Sequence, residues 1–244
     1  MNPAKLLEQF LGPDASKNAS ASVQNAKESL ANSGMGGLAG GVAAGGLLGL
    51  LLGNKKARKT IGKMAGGVVG YGGAAALGAL AYRAYQNWQT EQEGGPSTPP
   101  PTTSDHNTPP MLPPDSKFRP DAAPAGDGKP FELALVMAMV AAANADGHID
   151  TDEHRLIFDK VGQMPLDAED KAFVFDTLAN PPSLQDMQSL AEGPEQAAEL
   201  YLVSRLAIDP DHPAEQAYLK ALASRLSLPD QLVKHLELQA ESAA

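Results

Sequence analysis

The stretch FELALVMAMVAAANADGHIDTDE, residues 131–153, runs an apolar segment straight into an acidic loop that contains a glycine. Leu135, Val136, Met139 and Val140 recur at helical spacing, which predicts a buried helix from Phe131 to about Ala143. Asp150 then stands as the cap of a second helix. Glu153, three residues on, completes a capping-box-like pair ahead of Leu156, Ile157 and Val161. The same punctuation continues downstream. Asp167 with Asp170 opens a third helix through Phe173, Val174 and Leu178, and Asn180-Pro181-Pro182 ends it. Ser183 with Asp186 opens a short fourth, while Pro194, Pro213 and Pro229 sit in the first turns of a fifth, sixth and seventh. No stretch sustains period-two alternation. Residues 131–244 are therefore expected to form an all-α, seven-helix bundle.

Helix one, the acidic loop and helix two are echoed further on. Val136–Leu166 can be laid over Leu200–Leu228, with Asp150 and Glu153 opposite His212 and Glu215. Set against an EF-hand calcium loop, residues 142–153 place Asn144 third, Asp146 fifth, Gly147 sixth, Asp150 ninth and Glu153 twelfth, the pattern of hard oxygen ligands around a turning glycine. Ala142 stands where the first aspartate belongs, which predicts weak or absent calcium binding. Two readings stand side by side. In one, Asp150 and Glu153 cap a helix, Gly147 turns the chain and Ile149 plugs the core. In the other, Asn144, Asp146, Asp150 and Glu153 hold a divalent cation, calcium or similar, joined by Asp209, Asp211 and Glu215 of the second loop. That second loop has two prolines and no glycine, which speaks against a symmetric pair of sites. The chain has no cysteine, no H-E-x-x-H and no G-x-S-x-G, and is read as non-enzymatic.

Upstream the character changes. Residues 1–34 form a polar segment with a short amphipathic start at Leu6, Leu7, Phe10 and Leu11, and no cleaved signal peptide is expected. Met35–Gly53 and Met64–Tyr82 are each nineteen residues without a charge, near the roughly 20 that a bilayer requires. Small residues recur every fourth position, at Gly37, Gly41, Gly45, Gly49 and Gly53 and again at Gly62, Gly66, Gly70, Ala74 and Gly78. Such stripes let helices approach closely in lipid, so residues 35–90 are expected to be a Gly-zipper membrane hairpin that can also form homo-oligomers. Lys55, Lys56, Arg58, Lys59 and Lys63 fill the break, and Tyr82, Tyr85 and Trp88 are expected to sit at the interface. Gly53–Thr60 ends like a phosphate-binding loop, but Arg58 replaces the second glycine and no strand precedes it. Residues 91–130 hold eleven of the twenty prolines and are expected to be a disordered, Pro-rich linker.

Charge follows the same division. Residues 1–90 carry nine Lys/Arg against three Asp/Glu, whereas residues 131–244 carry seven against twenty. A basic front suits anionic lipid, and an acidic back suits an unidentified protein partner, with no nucleic-acid footprint.

The run Ala145-Asp146-Gly147-His148-Ile149-Asp150-x-x-Glu153 before the helical pattern resembles the TerB-like domain first associated with tellurite resistance. The whole layout, with its Gly-rich segments, basic cluster and Ala81-Tyr82-Arg83-Ala84-Tyr85-Gln86, is similar to the YebE-like family of bacterial inner-membrane proteins. The resemblance implies a seven-helix bundle with an acidic, metal-capable face in a stress-linked protein of unknown activity. Three functions are consistent with these features: a membrane-anchored interaction or sensing domain on a tether, a divalent-metal module, and a Gly-zipper scaffold or pore. The side of the membrane that holds the C-terminal domain is left open.

Overall fold

The computed structural model describes residues 2–11, 73–92, 112–113, 116–145, 166–208, 210 and 212–243, and among these residues there are eight helices. They are α1 (Pro3–Leu11), α2 (Gly73–Gln92), α3 (Phe131–Ala143), α4 (Ala168–Ala179), α5 (Leu184–Leu190), α6 (Pro194–Leu206), α7 (Pro213–Arg225) and α8 (Asp230–Ala243). Among the described residues there is no strand, only an isolated bridge between Pro124 and Pro130. The all-α class is as the sequence pattern predicts.

Local chemistry sets most boundaries. Asp167 caps α4, its side chain accepting from the Asp170 N–H at 2.8 Å. At α5 the capping box closes: Ser183 Oγ accepts from the Asp186 N–H at 3.2 Å, and Asp186 Oδ2 accepts from the Ser183 N–H at 2.8 Å. Pro194 and Pro213 occupy first-turn positions, where a missing N–H costs nothing. Pro229 stands one residue earlier than expected. It precedes α8, and its carbonyl accepts the Val233 N–H at 3.0 Å. The predicted second helix, from Asp150, lies outside the described residues.

Two helices form the centre. In α3 the residues Leu133, Leu135, Val136, Met139 and Val140 are all buried, and a helix that is apolar on every side must be enclosed. It is enclosed by α1, α4, α5, α6 and α7. The other central helix, α6, touches α2, α3, α7 and α8, and its Ala198, Leu200, Leu202 and Val203 have no exposed surface.

The front of the chain departs from expectation. Asn2 caps α1 through its side chain, which accepts from the Lys5 N–H at 3.1 Å, and Pro3 follows at the first helical position. Leu6, Leu7, Phe10 and Leu11 are then buried against α2 and α3. The polar N-terminal segment thus opens with a core element.

The second candidate span, 64–82, lies within the described residues from Gly73 onward. There it is the start of α2, which continues through Arg83, Gln86 and Glu91 and packs along α8, α6 and α1. Leu77, Ala81 and Ala84 have no exposed surface in this protein interior. Gly78, a member of the small-residue stripe, permits contact with the chain itself: a Cβ there would lie 2.0 Å from the Phe118 carbonyl oxygen. Tyr82 and Tyr85 pack their rings on Phe118 at centroid distances of 5.6 and 5.4 Å, and Trp88 stacks edgewise on Tyr85. No helix among the described residues is long and apolar enough to cross a membrane. The first candidate span, 35–53, and the basic cluster lie outside them.

The end of the Pro-rich linker is also part of the fold. Ser116, Phe118 and Ala125 are buried. Pro124 accepts from Gln196 Nε2 at 2.9 Å, and the Gly126 N–H donates to the Leu190 carbonyl at 3.0 Å. A Cβ on Gly126 would fall 2.1 Å from the Ser189 carbonyl oxygen, so this backbone lies flush against α5.

Candidate functional site

Helices α7 and α8 both rest on α6, and the space between them is an open cleft of about 800 Å³. Its floor is apolar, made by Leu219 and Ala223 of α7, the connecting Leu228, and Val233 of α8. Gln216, Lys220, Ser224, Ser227 and Asp230 supply a polar rim.

The turn that shapes one end follows from how α7 stops. The Leu228 N–H donates back to the Ala223 carbonyl at 3.0 Å, and Ser227 takes the left-handed conformation with φ 55°. This is the Schellman geometry, whose left-handed position glycine occupies most readily. Here it carries a hydroxyl on the cleft rim instead.

A partly buried polar network lines the cleft on the side of α6. Tyr201 of α6 donates its phenol to Glu237 Oε1 at 2.5 Å, and Arg205, one helical turn on, donates Nε to Glu237 Oε2 at 2.6 Å. Arg205 also donates to the Ile208 carbonyl at 3.3 Å. Burial, then the adjacent Glu237 carboxylate, pushes the Tyr201 phenol well above its ordinary range, so it remains a proton donor. Both oxygens of Glu237 are engaged, and the network ties α8 to α6 while presenting one wall to the cleft.

The metal-ligand candidates are only partly placed. Asn144 forms the C-cap of α3, its N–H donating to the Val140 carbonyl at 3.1 Å. Glu215 lies in the first turn of α7, three residues after the N-cap His212, whose Nδ1 accepts from the Ala214 N–H at 3.3 Å. Asp146, Asp150, Glu153, Asp209 and Asp211 lie outside the described residues. Among the described residues, no three His, Asp or Glu side chains are placed to hold a metal ion.

Residues 37–240 match the family described as "Protein of unknown function (DUF533)". The chain belongs to that family. The DUF533 match runs from within the first Gly-rich segment through α2 and nearly to the end of α8, so it takes in the whole cleft. Over 103 residues the chain is 32 % identical to a Yersinia enterocolitica protein described as "Uncharacterized protein in ampR 5'region", an alignment covering 42 % of this chain and 74 % of that one. No solved structure matches.

Sequence reasoning did not reach Tyr201, Arg205, Glu237 or Ser227. Tyr201 and Arg205 stand at helical i, i+4 spacing and can be read as neighbours on one face. Their partner on α8 is joined to them only by the tertiary fold.

Proposed function

We propose that this DUF533 protein is a non-enzymatic, membrane-associated binding module, of the YebE-like kind with a TerB-like helical domain, and that the cleft between α7 and α8 receives a segment of a protein partner. The cleft is the observation that carries the reading. It is apolar at the base, edged by hydrogen-bonding side chains and walled by a fixed network, the arrangement that recognises a short amphipathic segment. Tyr201, Arg205 and Glu237 are committed to one another, which suits a rigid wall better than proton transfer. The membrane association is supported by the nineteen uncharged residues of Met35–Gly53 and the five cations that follow them.

A photo-crosslinking residue at Lys220, in the full chain inside a producing bacterium, tests the binding role. The expected result is a discrete adduct that disappears when Ser224→Arg fills the cleft. A ladder of random adducts, or one that Ser224→Arg leaves unchanged, would overturn it.

A further inference from the structure

The two helices that flank the membrane candidate are built into the same body. On one side of it, α1 buries Leu6, Leu7, Phe10 and Leu11 against α2 and α3, and the Asn2 N–H donates to Asp170 Oδ1 of α4 at 3.2 Å. On the other, α2 begins at Gly73 and packs along α6 and α8, with Leu77, Ala81 and Ala84 in the interior. The chain is therefore part of this bundle up to Leu11 and again from Gly73 onward. A polypeptide that starts and ends in one folded body starts and ends on one side of a bilayer, so it crosses an even number of times.

We infer that α1, α2 and α8 all stand on the same face of the membrane this protein meets, and that Met35–Gly53 is not a lone transmembrane anchor. The inference rests on the membrane reading proposed above. A single crossing by Met35–Gly53 would put α1 and α2 on opposite sides and strip four large apolar side chains out of the core. A second crossing has to use either residues 12–34, which carry Asp14, Lys17, Lys27 and Glu28, or residues 54–72, which carry Lys55, Lys56, Arg58, Lys59 and Lys63 with no acidic residue among them. Cations in the hydrocarbon are strongly disfavoured, and about 20 apolar residues are needed for each passage. Contact from one face satisfies both constraints, with apolar residues entering one leaflet and cations held at anionic headgroups.

Since the chain has no cysteine, single cysteines report position cleanly. Ala4→Cys on α1, Gln92→Cys at the end of α2 and Ser242→Cys on α8 all fall at exposed sites. Each full-length variant is labelled with a membrane-impermeant maleimide in spheroplasts of a producing bacterium, before and after lysis, and its membranes are floated on a density gradient. The expected result is flotation with the membranes and the same labelled fraction at all three positions. Flotation with Ala4→Cys labelled where Gln92→Cys and Ser242→Cys are protected, or the reverse, overturns this inference alone. A chain that does not float overturns the membrane reading and this inference together.

Discussion

Single side chains decide several outcomes here. Glu199 lies in the middle of α6 with no exposed surface, and among the described residues neither carboxyl oxygen has a hydrogen-bond partner. Burial, and then neighbouring Glu195, pushes its carboxyl well above the ordinary value of 4.5. The folded state thus keeps a proton that the unfolded chain releases above that value, and stability must fall as pH rises through this window. The fall is about tenfold in the folding constant per pH unit while only the folded form stays protonated. Glu199→Gln should remove this dependence, so denaturant midpoints at pH 5 and pH 8 should differ less in the variant than in the parent. Ser227, held at positive φ, bears a backbone cost that glycine does not. Ser227→Gly should raise stability by about 0.5–1 kcal/mol in urea unfolding. Gly78 is the opposite case, because its missing Cβ is what admits the Phe118 carbonyl. Gly78→Ala should cost about 1–3 kcal/mol and shift the fluorescence of Trp88, the single tryptophan, as α2 moves. A glycine every fourth residue is visible in the sequence. What lies over that glycine is not, since lipid, a second helix and the chain's own loop all call for the same absent side chain.

At the level of elements, helix starts were the most legible feature. Asp167, Ser183, Pro194 and Pro213 each act through atoms within a few residues of themselves, so local pattern suffices to place them. Pro229 lies one residue outside its helix for the related reason that its carbonyl can serve the first turn as well as its ring can. The role of α1 was harder to read, because a nine-residue helix is too short to be stable alone and acquires its structure from the groove it fills. Its four apolar residues were visible as an amphipathic start, and their destination was not. Phe10→Ala should therefore cost about 3–5 kcal/mol, the penalty of a core truncation, where a solvent-exposed tail would show almost none. Thermal unfolding followed by circular dichroism measures the difference. The end of the linker behaves similarly: proline content averaged over 91–130 concealed Phe118, Ala125 and Gly126, three residues that pin residues 116–130 to the bundle.

For the whole molecule, the helical body extends beyond the 131–244 segment that pattern alone delimits. It includes α1, α2 and the approach to α3, and the DUF533 match likewise takes in α2 together with the later helices. A fragment of residues 131–244 would expose the faces of α3, α6 and α8 that those elements cover. Compared with the full chain, it should bind more of a hydrophobic dye and unfold at a lower denaturant concentration. Equal midpoints and no dye binding would show that the front is dispensable for folding. The candidate site divides along the same line. Its acidic-loop part was proposed from spacing, and the described portion places Asn144 and Glu215 as helix-end residues. The cleft with Tyr201, Arg205 and Glu237 required α8 to return across α6. Sequence by itself determined the all-α class, the caps and most helix limits, the charge division between front and back, and which residues are apolar enough to bury, because each depends on interactions within a few residues. Only the tertiary structure decided that Leu6, Phe10, Leu77 and Ala81 are covered by protein rather than by lipid, and which distant side chains share a wall. Both environments are equally free of water, so hydropathy is the same in either, and only the partner surface distinguishes them.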